Sequence, residues 1–511
     1  VSGAGGASGT FPVHLDRGAE APLPVQIAAA LREAIDAATL RPGEHIPATR
    51  ELARRLGVAR GVVVAAYEQL IAEGYLAATH GRGTMVNPAL ARTEQAAPWG
   101  SEADRDRRAP EPPRRAGATG DAEGAEAGTP LEHDAPPAPL TPGQPITDTV
   151  VGPAWRSAWR QAAARVDAVP PALGDPALRT EIADHLRRMR ATARAAGDVL
   201  VTAGTRDGLG LLLTALGATR GRELVVGVED PGLPSLRGAA QRSGARIVAL
   251  PADGEGLDTS RLPDGLLDVV IVTPSHQYPL GGSLPLPRRR ALLAWARRTG
   301  VVVVEDDFDS ELRYTGSALP TLAALDDPDR GSVVLLGTFS RTIAPGLSAG
   351  YLLAPAGLRS LIEPVRRELG GPVSGVVQAA LAAYLASGEL RRHTARMLRR
   401  YAARRDAVSD ALAAAPGVRV RPMDGGLHAV LEFLPRTGTR DADRDPAAPS
   451  REEAVLAAAH ADGLGVQGLA GYWQRGERAP GMTGLVLGMG GSDDAEFARA
   501  LGRLRGILDA H

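Results

Sequence analysis

Gly337-Thr338-Phe339-Ser340-Arg341-Thr342-Ile343-Ala344-Pro345-Gly346 closes an apolar run at 333–337 and opens a hydroxyl-bearing turn. Five similar runs precede it, at 199–202, 223–228, 246–250, 268–273 and 301–305. Short runs of this kind read as strands buried on both faces. Amphipathic stretches such as 287–298 lie between several of them, and the alternation predicts an α/β layer on a mostly parallel sheet. From about 370 come long Arg- and Ala-rich helical patterns, then apolar runs at 427–433 and 485–489. These predict a smaller α+β domain.

The 511 residues are enough for more than one domain with its own core. No apolar run approaches the roughly 20 residues of a membrane span. The opening Val1-Ser2-Gly3-Ala4-Gly5 carries no signal pattern, so the expectation is a cytoplasmic protein without a membrane partner. The chain has no Cys, which removes disulfides and thiolate metal sites, and no metal is expected. A net charge of -1 means that affinity for nucleic acid must come from local arrangement. The chain also lacks lysine, so all 58 Lys and Arg positions are Arg. Coding bias accounts for that on a surface, but not for the loss of an amine with covalent chemistry.

The N-terminal block is compact and periodic. Ile27, Leu31 and Ile35 share one face of a helix predicted at 26–38. Thr49 is placed to cap a helix running to Leu56 and ended by Gly57, and another helix follows at 60–73. Two helices across a tight Gly-containing turn form a helix-turn-helix, whose second helix enters the major groove. Gly74-Tyr75-Leu76 and His80-Gly81-Arg82-Gly83-Thr84 read as a small β-wing. Residues 91–147 are rich in Pro, Ala, Gly and charge and read as a flexible linker. The domain plan is therefore 15–90 for the DNA-binding head, 91–147 for the linker, 148–370 for a large domain and 371–511 for a small one.

Pro47-Ala48-Thr49-Arg50-Glu51-Leu52-Ala53, Gly57-Val58-Ala59-Arg60, Ala66-Tyr67, Glu73-Gly74-Tyr75-Leu76 and Gly81-Arg82-Gly83-Thr84 resemble the winged helix-turn-helix of GntR-type regulators. The resemblance implies DNA contact by Thr49, Arg50, Arg60, Tyr67, His80, Arg82 and Thr84, with double-stranded promoter DNA as partner. Ala48 and Ala59 stand where Ser is usual, and Val62 where Thr is usual. Such hydroxyls normally bond phosphates. Residues 20–90 hold seven Arg and seven acidic residues, so two readings stay open: a DNA-binding head, or a module that only dimerises or packs.

Gly204-Thr205-Arg206 follows one strand and opens a helix, where free N–H groups and the helix dipole suit a phosphate. With Thr273-Pro274-Ser275-His276-Gln277-Tyr278-Pro279, the stretch Glu305-Asp306-Asp307-Phe308-Asp309-Ser310-Glu311 and the opening segment, it resembles the fold-type-I aminotransferases, and in particular their regulator branch, the MocR type. The implied fold is multidomain: a mainly α winged helix-turn-helix plus an α/β transferase-like domain with a smaller α+β domain. The implied cofactor is pyridoxal phosphate, with Gly204, Thr205, Arg206, Thr338 and Ser340 at its phosphate and Asp306 at its pyridine nitrogen. A homodimer is implied as well.

The departures gather at that site. Arg341 occupies the position of the lysine that binds the cofactor covalently, and a guanidinium is no nucleophile toward an aldehyde. Phe308 replaces a tyrosine, Leu233 an aromatic ring partner, Ser348 a phosphate-binding arginine, and Val486 lies near the expected substrate-carboxylate arginine. The expected function is a transcription regulator without transaminase activity, any cofactor being noncovalent. The pocket is either a relic that supports dimerisation or a site for a small anionic effector, and an Asp306–Arg341 ion pair is one form of the relic. The rival reading, a pyridoxal-phosphate-dependent aminotransferase, is disfavoured by the absence of lysine. A third, a non-DNA-binding partner of an intact paralogue, follows from the missing hydroxyls.

Overall fold

The computed structural model describes residues 15–17, 23–36, 39–72, 75–79, 83–87, 138–164, 170–314, 319–434, 450–474 and 482–511. The head is built from α1 (Leu23–Asp36), α2 (Thr49–Leu56), α3 (Arg60–Ala72) and a hairpin of β1 (Leu76–Thr79) and β2 (Gly83–Val86). Ile27, Leu31 and Ile35 pack against Leu52, Val63, Leu70 and Val86, as the helical spacing predicts. Gly57 ends α2 in the left-handed conformation, its N–H reaching the carbonyls of Ala53 and Arg54. Thr49 is not the cap: Ala48 holds that position without a side-chain bond, and Thr49 is the first helical residue.

The large domain carries an eight-stranded sheet in the order β3-β10-β9-β8-β7-β4-β5-β6. Its strands are β3 (Val199–Thr202), β4 (Val225–Asp230), β5 (Arg246–Asp253), β6 (Gly256–Leu257), β7 (Val269–Val272), β8 (Val302–Asp307), β9 (Val333–Thr338) and β10 (Gly350–Leu353). The β9-β8-β7-β4-β5 section is parallel, as the apolar runs predict, and β10 runs antiparallel to both β9 and β3. The pattern of runs did not reveal β10, a four-residue strand directly after a Gly- and Pro-containing turn.

Alternate residues of each buried strand enter opposite layers. Val199, Val201, Val303, Val333 and Leu335 join one core, and Leu200, Val302, Val304, Val334 and Leu336 the other. The first core is covered by α4 (Pro153–Ala163), α5 (Pro176–Arg190), α8 (Leu286–Thr299) and α11 (Gly375–Ala386). The second is covered by α6 (Thr205–Arg220), α7 (Pro234–Arg242) and α10 (Ala356–Leu369). The short α9 (Leu322–Leu325) leads into β9. Although α11 lies beyond the expected boundary at 370, its Leu381, Tyr384 and Leu385 pack in the large-domain core.

The small domain is an antiparallel sheet, β11 (Val418–Val420), β12 (His428–Phe433), β14 (Gly484–Gly488) and β13 (Gln467–Gly468) in that order. It is backed by α12 (Glu389–Leu412), α13 (Arg451–Ala461) and α14 (Asp494–Ala510).

Residues 138–147, assigned to the linker from composition, are instead part of the body. Leu140 and Ile146 are buried in the small-domain core. Leu140 exchanges backbone bonds with Leu464 and Gly488, and Ile146 N–H donates to the Tyr401 hydroxyl at 2.8 Å. Two large side chains among Pro, Gly and Thr do not shift a composition average, yet they suffice to anchor the segment. Leu140→Ala is expected to lower the stability of the body by about 2–5 kcal/mol in urea unfolding, the range for a fully buried leucine; an unchanged midpoint would return 138–147 to the linker.

Candidate functional site

The C-terminal ends of β4, β7, β8 and β9 converge, and each delivers polar groups. At the end of β8, Glu305 accepts the Ala323 N–H at 3.1 Å. Asp307 pairs with Arg190 through bonds of 2.7 and 2.5 Å. Between them Asp306 is only 3 % exposed, and neither of its carboxylate oxygens has a hydrogen-bond partner among the described residues. Burial, then the neighbouring Asp307, pushes its pKa up to about 8, against the pull of Arg341. Glu229, at the end of β4, accepts the Thr273 hydroxyl at 2.5 Å and N–H at 3.2 Å, yet burial still raises it to about 7.

Arg341 lies just past β9, half-buried, and makes no hydrogen bond or ion pair among the described residues. The Asp306–Arg341 ion pair that a relic pocket would hold is therefore not formed among the described residues, although the guanidinium is near enough to oppose the rise at Asp306. Its head lies against Gly143, where an added Cβ would sit 1.8 Å from Nη1. Gly143 has φ +81, a backbone conformation that favours glycine, and a larger residue there would push the Arg341 head aside. The segment 138–147 thus forms a wall of this site, which its composition did not suggest.

The phosphate-side residues are brought together in part. Gly204 caps α6 with φ 93, and no side chain caps that N-terminus. Asp207 instead bonds the Ala203 N–H at 3.0 Å and Arg366 at 2.6 Å. Thr338 Oγ1 accepts the Ser340 N–H at 3.1 Å and faces Gly204. Close approach depends on Gly350, where a Cβ would meet Gly337 O at 2.4 Å and Gly204 Cα at 3.0 Å. Thr205 is half-buried, whereas Arg206 and Ser348 are exposed.

Three of the departures meet in one place. Phe308 and Val486 are buried with Tyr278, Val430, Leu469 and Tyr472, and Leu233 packs against the group. The Tyr278 ring meets Phe308 edge-on at 5.6 Å and Tyr472 at 5.4 Å. Three positions that depart from the family pattern therefore join a continuous apolar and aromatic wall. Tyr472 and Val430 come from the small domain, and only folding identifies them as neighbours.

Behind Phe308 lies a buried network. His276 Nδ1 pairs with Asp309 Oδ1 at 2.8 Å, and His428 Nε2–H donates to Pro279 O at 2.8 Å. Burial, then His276, lowers His428 to about 4, so it is neutral. These three residues bring possible metal-ligating atoms within 4.8 Å of one another, but internal bonds already use part of their capacity.

In the head, Arg50 and Arg60 are exposed at the starts of α2 and α3. Thr49 and Thr84 are half-buried, and Thr84 O accepts the Ile46 N–H at 3.0 Å. Tyr67 departs from its expected role: it is buried, and its hydroxyl donates to Pro47 O at 2.7 Å, so it braces the approach to α2. His80 and Arg82 lie outside the described residues. Arg17, which the motifs did not flag, donates to Gly57 O at 2.9 Å beside the helix-turn-helix corner.

Residues 23–86 match the gntR family of bacterial regulatory proteins, and residues 139–448 match aminotransferase class I and II. The chain is 40 % identical over 484 residues, 95 % of each sequence, to the HTH-type pyridoxine biosynthesis transcriptional regulator PdxR of Corynebacterium glutamicum. It is 30 % identical to the probable rhizopine catabolism regulatory protein MocR of Rhizobium meliloti, over 96 % of this chain and 94 % of that one. Among solved structures, an archaeal alanine:glyoxylate aminotransferase has a TM-score of 0.63 at 19 % identity, covering 74 % of this chain and 92 % of its own. That last likeness shows the fold. The chain belongs to the MocR/PdxR-type transcriptional regulators, in which a GntR-type head is joined to an aminotransferase class I and II domain.

Proposed function

We propose that this regulator senses a phosphorylated pyridine, of the pyridoxal phosphate class, held without a covalent bond and without transamination. The observation that carries the reading is Asp306: a buried carboxylate with two unpartnered oxygens requires a donor, and a protonated ring nitrogen supplies one. The phosphate would lie at Gly204, Thr205, Thr338 and Ser340, with Arg341 adding positive charge. The apolar wall of Leu233, Phe308 and Val486 gives a ring something to pack on and offers no grip for an amino-acid carboxylate. When bound, the ring supplies electron withdrawal, but this chain has no lysine to exchange with a substrate amine. The name of the Corynebacterium relative, a pyridoxine biosynthesis regulator, supports a ligand of this class.

The head binds DNA as GntR-type modules do, and Arg50, Arg60, Thr49 and Thr84 are the proposed contacts among the described residues. His80 and Arg82 complete the proposal from sequence. Two chains paired through the aminotransferase-like body would present two heads to paired half-sites.

Arg60→Ala is expected to weaken binding to the DNA upstream of the protein's own gene at least tenfold in gel shifts, with the loss shrinking as salt rises. Equal binding by the variant would remove α3 from the interface. Pyridoxal phosphate is expected to raise the melting temperature, and borohydride reduction followed by mass spectrometry should find no side-chain adduct. An adduct mapped to any side chain would restore covalent chemistry.

A third test uses pH. The folded pKa of Asp306 lies above its unfolded value, so its stabilising contribution is complete below about pH 4 and is lost as pH rises toward 8. Asp306→Asn carries no such dependence. The stability difference favouring Asn should therefore grow between pH 5 and 8, by at most about 1.4 kcal/mol per pH unit, and level off above 8. A constant difference would mean that Asp306 is ionised throughout.

A further inference from the structure

Tyr75, at the base of the wing, is the point where the head meets the body. It is 2 % exposed, and its ring lies between Arg32 of α1 at 5.7 Å and Arg290 of α8 at 5.2 Å. Arg290 Nη2 also donates to its hydroxyl at 3.4 Å. Around the ring the body supplies Leu284, Leu286, Leu319, Pro320 and Leu325, and Leu286 is buried within the head's own core cluster. Arg50 and Arg60 stay exposed in this arrangement, so the contact orients the head without covering the start of its DNA-reading helix.

The underside of this seat is fastened to the ligand site by two buried arginines. Arg289, 3 % exposed, donates to Leu284 O at 2.7 Å, Pro320 O at 2.8 Å and Pro274 O at 2.7 Å. Arg190, 1 % exposed, donates to Leu319 O at 2.9 Å, to Ser275 Oγ at 2.9 Å and to Asp307. Each guanidinium therefore spans from the seat to the loop that carries His276, and Arg190 reaches the residue next to Asp306. Glu305 makes a third tie through the N–H of Ala323 in α9. Three consecutive residues of β8 thus comprise two anchors of the seat and, between them, the ligand-facing carboxylate.

We propose that the Tyr75 seat couples occupancy of the Asp306 pocket to the orientation of the DNA-binding head, with Arg190 and Arg289 as rigid connectors. The coupling rests on the ligand reading above, whereas the docking contact stands independently. Planar guanidiniums with three or more fixed bonds transmit a shift of Pro274, Ser275 or Asp307 to Leu319 and Pro320 rather than absorbing it. Linkage makes the effect reciprocal: whatever factor the ligand applies to docking, docking applies to ligand affinity.

Hydrogen exchange on the full chain tests both parts, because the Tyr75 N–H is bonded to Leu70 O and reports on the head directly. Arg290→Ala and, separately, Leu325→Asn change only the body. Each is expected to speed exchange across 75–79 at least tenfold while the body amides keep their rates. Unchanged head rates in both variants overturn the docking. Pyridoxal phosphate is expected to alter the same head amides in the unmodified chain, and Ser275→Ala should reduce that response by more than half. If the ligand raises the melting temperature but leaves the head amides untouched, the coupling is wrong and the ligand reading stands. If the ligand does not raise the melting temperature, the ligand reading fails and takes the coupling with it, leaving docking to be judged by the two body variants.

Discussion

Three carboxylates in a row, Glu305, Asp306 and Asp307, end a strand buried in the middle of the sheet. Burying an ionised carboxylate costs several kcal/mol unless partners compensate. The pleat sends residues 305 and 307 to one face and 306 to the other. On the first face Glu305 takes a backbone N–H of α9, and Asp307 takes the buried guanidinium of Arg190. On the second face neither oxygen of Asp306 has a hydrogen-bond partner among the described residues. The arrangement on the first face fixes loops and a docking surface; the unmet need on the second face defines the proposed ligand site. Both follow from one constraint on one strand.

The altered positions around that site are coherent rather than scattered. Leu233, Phe308 and Val486 are far apart in sequence, yet all three face Tyr278 and Tyr472 in a single apolar group. A decayed enzyme would leave unmatched polar atoms where partners were lost. Here Leu233, Phe308 and Val486 satisfy one another by packing, while Asp306 keeps two oxygens without a hydrogen-bond partner among the described residues. Arg341 fits the same pattern. It supplies permanent positive charge near Asp306 without closing an ion pair, which leaves the carboxylate available to a ligand.

The contact between head and body bears on how two heads would be spaced. With a free head, the spacing of two half-sites would follow from linker length alone. A head seated at Tyr75 instead takes its orientation from the body that holds it. The exposed Arg50 and Arg60 are compatible with this, because docking leaves the start of the reading helix open.

Much of this protein was legible in its residues. The parallel strands, the amphipathic helices, the Gly57 corner of the helix-turn-helix and the singular Arg341 all follow from local pattern, because period, capping and side-chain chemistry act over a few residues. Asp306 could be singled out from its place at a strand end and the family resemblance, but its burial and unpartnered oxygens could not. Local pattern misassigned Tyr67, whose side chain turns inward, and residues 138–147, whose two anchoring side chains are lost in a Pro- and Gly-rich average. It could not show that Gly143 receives Arg341, that Tyr472 joins Phe308, or that Arg190 and Arg289 bind the head's seat to the pocket. Those relations join residues tens to hundreds of positions apart. They exist only once the sheet has set which strand ends and which helices share a face, since burial and hydrogen-bond geometry are properties of that packing and not of any single segment.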